Sequence, residues 1–184
     1  MWNEVATQIK RWKDMYGVDI PVSVNVSRID MFNAHIAEIL ENIIKQNNLD
    51  NTNLLLEITE SAYTDDSAQI IETVNKLRGL GFRIEMDDFG SGYSSLNMLL
   101  SLPIDALKLD MTFIKKICEN PKSARLVGIM IDIARLLEVP VIAEGVETKE
   151  QMEILKKLGC DIIQGYFFSK PLPPEEFEAL IEKN

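Results

Sequence analysis

Histidine and cysteine are scarce in this chain, and each shortage argues against a class of functions. The 184 residues contain a single histidine, His35, which has no nearby partner for catalysis and is best read as a residue on a helix surface. The only two cysteines, Cys118 and Cys160, lack metal-type spacing, and in a chain of this size we expect buried free thiols rather than a disulfide. The sequence therefore predicts neither a disulfide scaffold nor a Cys/His metal site.

Positive charge and long apolar runs are also lacking. Lys and Arg number 19 against 29 Asp and Glu, which gives a net charge of -10. This balance argues against binding to a nucleic-acid polymer or an anionic membrane, because both require a basic patch. No apolar run approaches membrane-spanning length and the N-terminus does not resemble a signal peptide, so we expect no membrane contact by this segment and a cytoplasmic location.

What the chain does contain is a regular alternation of apolar, strand-like runs with helical patterns. Hydrophobic residues make up 46% of the sequence, and no linker interrupts it, so we expect one domain over residues 1–184. A polar residue stands at or near the end of each of six runs: Asn25, Glu57, Asp87, Lys108, Glu144 and Gln164. The separations of 32 residues (57 minus 25) and 30 residues (87 minus 57) suit one strand plus one helix, which predicts a parallel sheet. Closed into a barrel, that sheet would gather the six ends on one face, where barrel enzymes carry their active sites.

The most informative stretch begins where the apolar run from Phe82 to Met86 meets two carboxylates, Asp87 and Asp88. Neighbouring strand residues point to opposite faces, so these two can serve one site only if the chain turns there, and Gly90 and Gly92 permit such a turn. Paired carboxylates suit hard divalent cations that clamp a phosphodiester. Taken alone, the stretch is more typical of an Asp-rich loop that caps the following helix.

Lys108 stands out among the lysines, because it lies on an apolar strand that also carries Asp110 on the same face. Burying an ammonium is costly unless a carboxylate or phosphate meets it. The six strand ends would bring together amides, carboxylates and this ammonium, with Asp88 as an additional acid. Neutralising that much negative charge without water requires a divalent metal.

These features together resemble the EAL-domain cyclic di-GMP phosphodiesterases. The motifs that carry the resemblance are Ser23-Val24-Asn25-Val26-Ser27, Glu57-Ile58-Thr59-Glu60, Asp87-Asp88-Phe89-Gly90-Ser91-Gly92-Tyr93, Lys108-Leu109-Asp110, Ala143-Glu144-Gly145-Val146-Glu147 and Gln164-Gly165-Tyr166. They follow the family's order over essentially the whole chain. The resemblance implies an α/β fold, a TIM-like (β/α) barrel incomplete at the N-terminus, with about six of the eight strands.

The resemblance also implies a role for each matching residue. The metal ligands would be Asn25, Glu57, Asp87, Asp88 and Glu144, with Asp88 serving the second ion of a two-metal site that holds Mg²⁺ or Mn²⁺. Lys108 would contact the attacking water or the phosphate, and Gln164 would support the water and the metal. Glu60 would hold the loop after Asp88, while Asp110 and Glu147 would lie at the substrate. The implied reaction is hydrolysis of cyclic di-GMP to linear pGpG in bacterial signalling.

One departure from the family leaves an alternative open. The opening portion, with the Glu-Ala-Leu signature whose glutamate binds metal, is absent, and the triplet Glu178-Ala179-Leu180 falls in the terminal helix instead. The alternative to an enzyme is therefore an inactive EAL module that binds cyclic di-GMP or a protein partner. An unrelated barrel enzyme acting on another phosphodiester is the third reading. An open barrel would also expose strand edges that favour a homodimer.

Overall fold

The computed structural model describes residues 1–62, 67–90 and 96–182, and within these ranges strands alternate with helices. The strands are β1 Val22–Asn25, β2 Leu54–Thr59, β3 Arg83–Phe89, β4 Ala106–Leu109, β5 Val141–Ala143 and β6 Ile162–Ile163. The helices are α1 Trp2–Tyr16, α2 Arg28–Met31, α3 Ile36–Gln46, α4 Ser67–Gly79, α5 Leu96–Ser101, α6 Met111–Lys115, α7 Pro121–Leu136, α8 Lys149–Leu158 and α9 Pro174–Ile181. The motif residues Ser91, Gly92 and Tyr93 lie outside the described residues.

The strands form a sheet in which strand order follows chain order, β1-β2-β3-β4-β5-β6. The pairs β1–β2, β3–β4, β4–β5 and β5–β6 are parallel. At least one helix lies between every two successive strands, so the predicted parallel sheet is confirmed. None of the helices in the described ranges has both the length and the apolar character needed to cross a membrane.

The chain divides into two compact units. Unit 1 contains β1, the first five residues of β2, α1 to α4, α9 and the first two residues of β3, Arg83 and Ile84. Unit 2 contains the remainder of β3 from Glu85, the strands β4 to β6 and the helices α5 to α8. The assignment of residues 1–184 to one domain stays a prediction.

In unit 1, helix α1 packs through an apolar face on which Ala6, Ile9 and Trp12 are buried. The apolar residues recur every three or four positions, as the sequence pattern predicts for one helical face. Helix α9 adds Phe177, whose ring centroid lies 5.0 Å from that of Trp12. This contact joins the first and last helices of the chain.

The second helix of unit 1 differs from its prediction. The apolar residues from Phe32 to Ile44 recur at helical spacing and predict one helix. In the structure that helix, α3, begins only at Ile36, and a separate short helix, α2, lies before Phe32. A capping box begins α2, because Ser27 and Asp30 each accept a hydrogen bond from the other's backbone N–H. The side chain of Asn33 accepts from the N–H of His35, the residue before α3. These local polar bonds separate the two helices.

In unit 2, helix α8 has the caps that its sequence predicts, since Thr148-Lys149-Glu150-Gln151 fits a capping box and Gly159 a glycine stop. Thr148 and Gln151 form the capping box, and Gly159 ends the helix with a backbone φ of 77°. The expectation of two buried thiols was wrong for Cys118, which is exposed, whereas Cys160 is partly buried. Burial raises the pKa of the Cys160 thiol to about 11, so this thiol is protonated at neutral pH.

Candidate active site

A bulge near the end of β3 accommodates the two neighbouring aspartates. The pairing of β3 with β4 shifts register between Met86 and Phe89, so that Asp87 and Asp88 together oppose Lys108. Asp88 has a backbone φ of 57°, in the left-handed region. Its N–H donates to Oδ1 of Asp87 over 2.9 Å. The extra residue interrupts the alternation of faces, which is the turn that two adjacent carboxylates need to serve one site.

The sequence had placed this turn at Gly90 and Gly92. The structure begins it earlier, at Asp88, where a short polar side chain tolerates the left-handed backbone. Gly90 continues it with a φ of 92°. A Cβ at Gly90 would lie 2.8 Å from Cε2 of Phe113, so no other residue fits without displacing that ring. Gly92 lies outside the described residues.

Lys108 joins two of the predicted site carboxylates. Its Nζ lies 2.7 Å from Oε1 of Glu144 and 3.3 Å from Oδ1 of Asp87. The lysine is buried, at 5% exposure, and its register partner in β5 is Ile142. An unpaired ammonium buried on an apolar strand would be costly, so the sequence predicts a carboxylate or phosphate partner for Lys108. Asp87 and Glu144 are carboxylate partners of this kind.

Asp88 and Asp110 form a second acidic contact beside this pair. Burial, followed by the charges of Asp87 and Asp110, raises the pKa of Asp88. For Asp110, burial alone would raise the pKa, but hydrogen bonds from Thr112 and from Asp88 lower it. The N–H of Thr112 donates to Oδ1 of Asp110 over 2.7 Å. The two carboxyl groups therefore differ in their affinity for a proton, with Asp88 the more readily protonated.

These five residues of unit 2 are named the Lys108 cluster: Asp87, Asp88, Lys108, Asp110 and Glu144. They come from the ends of β3, β4 and β5, which the parallel pairing sets side by side. The arrangement brings four acids and one buried base to neighbouring strand ends, and two of the acids, Asp87 and Glu144, pair with the base. Chemically, it can present oxygen donors to a cation and an ammonium to an anion.

Glu60 makes the contact expected of a residue that supports the segment after Asp88. Its carboxylate is 5% exposed, and Oε2 accepts a hydrogen bond from the N–H of Gly90 over 3.1 Å. Its other oxygen, Oε1, is buried without a hydrogen bond from any described residue. The hydrogen bond from Gly90 to the buried Glu60 carboxylate restrains the backbone directly after the bulge.

Asn25 and Glu57 lie opposite each other in unit 1. They are register partners in the parallel pair β1–β2. Glu57 is 9% exposed and Asn25 is exposed. The carbonyl of Asn25 accepts a hydrogen bond from Nε1 of Trp2 over 3.0 Å. The sequence did not foresee this role for Trp2, since an indole on an amphipathic helix reads as a core residue.

Glu147 and Gln164 are both exposed and lie in the loops after β5 and β6. The backbone of Gln164 donates to the carbonyl of Ala143 over 2.9 Å and accepts from the N–H of Val146 over 3.1 Å. Within the described ranges, neither the Glu147 nor the Gln164 side chain hydrogen-bonds to the Lys108 cluster. Their predicted roles at substrate and water stay predictions.

The donor chemistry of these residues fits a hard divalent cation, because Mg²⁺ and Mn²⁺ prefer carboxylate oxygens. Nevertheless, no group of three or more His, Cys, Asp or Glu side chains in the described part of the chain is arranged to hold a metal ion. Lys108 lies instead between Asp87 and Glu144. In this arrangement the ammonium supplies the positive charge that the carboxylates require.

Thr112 is the residue of this region that sequence reasoning missed. Its hydrogen bonds lower the pKa of Asp110, and the same aspartate caps helix α6. The signal was present in the sequence, since an aspartate at a strand-to-helix junction is typical of an N-cap whose side chain accepts from the backbone N–H two residues later. Asp110 therefore caps helix α6 through its hydrogen bond with the Thr112 N–H, in addition to its predicted contact with the substrate.

Comparison with known proteins finds relatives that are similar in sequence over nearly the whole chain. Over 179 residues it is 34% identical to the bifunctional diguanylate cyclase/cyclic di-GMP phosphodiesterase MucR of Pseudomonas aeruginosa, covering 97% of this chain and 26% of that protein. Over 175 residues it is 35% identical to the cyclic di-GMP phosphodiesterase PdeR of Escherichia coli, covering 95% of this chain and 26% of that protein. The chain thus spans about a quarter of the length of these two relatives.

Solved structures of EAL proteins are also similar to this chain in fold. The EAL enzyme Bd1971, solved with cAMP and cyclic di-GMP bound, matches with a TM-score of 0.93 and 34% identity over 98% of this chain and 50% of that chain. The match confirms the predicted α/β class, a TIM-like (β/α) barrel fold of which the described residues supply six strands, fewer than the eight of a full barrel. The EAL domain family model matches residues 1–171, and by these matches the chain belongs to the EAL domain family.

Proposed function

We propose that this chain hydrolyses one phosphodiester bond of cyclic di-GMP to give linear pGpG, with a divalent cation as cofactor. The observation that carries the proposal is the burial of Lys108 between Asp87 and Glu144. A domain with only a structural role would fill this position more cheaply with an apolar residue, because desolvating three charges is expensive. Two relatives of the chain, MucR and PdeR, are cyclic di-GMP phosphodiesterases.

The carboxylates of the Lys108 cluster are the proposed cation ligands. Asp87, Asp88 and Glu144 would hold Mg²⁺ or Mn²⁺ in a site for two ions. The further ligands Asn25 and Glu57 are proposed from their match to the family motifs. A bound cation of this kind lowers the pKa of coordinated water and offsets negative charge on a phosphate.

The chain's own side chains have distinct tasks in this reaction. Hydrolysis forms a bond from the water oxygen to phosphorus, breaks the bond from phosphorus to one ribose oxygen, and leaves that oxygen protonated. Lys108 would place its ammonium against a phosphoryl oxygen and stabilise the charge that develops there. Gln164 would orient the water, while Asp110 and Glu147 would contact the nucleotide. Glu60 would hold the backbone at Gly90, next to Asp88.

The second candidate function is an EAL module that binds cyclic di-GMP or a protein partner without turnover. One observation favours it: the described residues contain no carboxylate group arranged for a metal, and Lys108 already pairs with Asp87 and Glu144. An enzyme and a nucleotide-binding module would both bind cyclic di-GMP. They differ in whether the product pGpG is formed.

The deciding experiment is incubation of the purified 184-residue chain with cyclic di-GMP and Mn²⁺ or Mg²⁺, with chromatography of pGpG. Asp87→Asn is the matched variant, because it keeps the size of the side chain and removes one proposed ligand charge. Turnover by the wild type that is lost in this variant would support the enzyme. Binding of cyclic di-GMP by a folded wild type without pGpG would overturn the enzyme and favour the module.

The proposed assembly is a homodimer through strand edges. Strands β1 and β6 end the strand order, and each has a single neighbour among the described strands. Unpaired strand edges are sites of pairing between chains. Light scattering at several protein concentrations tests this proposal, and a monomer throughout would contradict it. The cytoplasmic location stays a prediction.

A further inference from the structure

Gln151 is a buried polar residue that the proposed reaction does not use. It is 7% exposed and lies in the first turn of α8. Its Oε1 accepts hydrogen bonds from the N–H groups of Glu147, over 2.8 Å, and Thr148, over 3.0 Å. Its Nε2 donates to the carbonyl of Ile114 over 3.3 Å.

Two of these three bonds go beyond helix capping. In a capping box, the Gln151 side chain needs to bond only to the N–H of the N-cap residue, Thr148. The bond to Glu147 reaches back into the loop after β5. The bond to Ile114 reaches helix α6, which begins directly after Asp110. One side chain thus connects the Glu147 backbone to a helix that starts at the Lys108 cluster.

Glu147 depends on this connection more than its neighbours do. The preceding residue, Val146, is fully buried and is fixed by backbone bonds to Gln164 and Phe167. Glu144 is paired with Lys108 at 2.7 Å. Glu147 itself is exposed, so packing does not set its direction.

We infer that Gln151 is a positioning residue that fixes the backbone of Glu147 against helix α6 and acts on cyclic di-GMP through Glu147. The inference rests on the proposed function for its second half, because Glu147 is proposed to contact the nucleotide. Its first half concerns the loop alone. The bond pattern gives Gln151 no direct contact with the Lys108 cluster.

The first test is hydrogen exchange at the amides of Glu147 and Thr148, measured by NMR. Gln151→Met keeps the length of the side chain and removes all three bonds, so both amides should exchange at least about tenfold faster. Thr148→Ala is the matched control, since it removes the cap bond to the Gln151 N–H and leaves the Gln151 side chain in place. Unchanged exchange in Gln151→Met would overturn the inference.

Gln151→Glu guards against a variant that does not fold. It keeps an oxygen for the two amides and replaces the group that donates to Ile114. The amide of Glu147 should then stay close to its wild-type exchange rate. A rise as large as that in Gln151→Met would show that the Oε1 bonds do not hold Glu147.

The second test is a double-mutant cycle on turnover of cyclic di-GMP. Misplacing a group that contacts the substrate lowers activity, so Gln151→Met should lower kcat/KM by about tenfold in an otherwise wild-type chain. In a Glu147→Gln background the same change should cost less than about twofold, because the group through which Gln151 acts is already altered. Additive losses would show that Gln151 acts independently of Glu147 and would overturn the inference.

The two tests separate this inference from the proposed function. A wild type that neither hydrolyses nor binds cyclic di-GMP would contradict the proposed function and, with it, the action of Gln151 on the nucleotide. Hydrogen exchange would still decide whether Gln151 holds the backbone of Glu147, since that measurement needs no ligand.

Discussion

Replacing Lys108 by methionine tests the ion pairs at the centre of the cluster. The change keeps the length of the side chain and leaves Asp87 and Glu144 without their ammonium. Removing one partner of a buried pair costs about 3 to 5 kcal/mol. The Asp87 and Glu144 side chains retain 15% and 24% exposure, so water replaces part of the lost interaction and the lower end applies. We expect a loss of about 3 kcal/mol.

Thermal unfolding in EDTA measures this loss. For a chain of this size, about 3 kcal/mol corresponds to a fall in Tm of about 6 to 12 °C. Lys10→Met is the matched control: Lys10 pairs with Asp14 at 2.8 Å, but both side chains are exposed, and such pairs contribute less than about 1 kcal/mol. A loss below about 1 kcal/mol in Lys108→Met would refute the reasoning. Added Mn²⁺ should stabilise Lys108→Met more than the wild type, because a cation then replaces the missing ammonium.

Three further changes test other features of the structure. Asp88→Asn should leave the metal-free protein at least as stable as the wild type at neutral pH, because a carboxyl group with a raised pKa favours the folded state only below that pKa. The unfolding free energies of Asp88→Asn and the wild type should converge as the pH falls through the pKa of Asp88. An Asp88→Asn protein that is less stable than the wild type at neutral pH would contradict this reasoning. Gly90→Ala should cost about 2 kcal/mol in urea unfolding, through a strained φ and the overlap with Phe113; unchanged stability would count against the described turn. Glu178→Ala should cost about 1 kcal/mol, because Arg11 is exposed and Gln8 and Tyr16 are partly exposed, so water replaces much of the lost hydrogen bonding. Any turnover per folded molecule should be unaffected, and a specific loss of turnover would give Glu178 a role in the site.

Much of the fold could be predicted because its signals are local or periodic. The capping box of Thr148 and Gln151 is readable from four residues, and the structure has it. The polar strand ends were readable because parallel strands bring their carboxyl ends to one edge of the sheet. That rule predicts the approach of Lys108 to Glu144 and Asp87 without any knowledge of distances.

The details of the cluster could not be predicted, because they depend on pairing between distant segments. The bulge at Asp88 arises from the register of β3 against β4, and an aspartate pattern alone does not specify it. The two glycines were the natural place for a turn, since glycine is the usual residue at positive φ. The contact of Glu60 with Gly90 joins residues 30 positions apart, so it was expected from the family resemblance rather than from a local signal.

Glu178 shows why a motif must be judged by its position in the fold rather than by its letters. The triplet Glu178-Ala179-Leu180 spells the family signature, yet it lies in helix α9. The Glu178 carboxylate is 7% exposed and accepts hydrogen bonds from Gln8, Arg11 and Tyr16, all on α1. These hydrogen bonds connect helix α9 to helix α1, and the Arg11 guanidinium offsets the charge of the carboxylate. Glu178 therefore has little need of a cation. In the Lys108 cluster the ammonium pairs with Asp87 and Glu144, while Asp88 and Asp110 add two further carboxyl groups. That excess of acids over bases is what makes the cluster a candidate for metal.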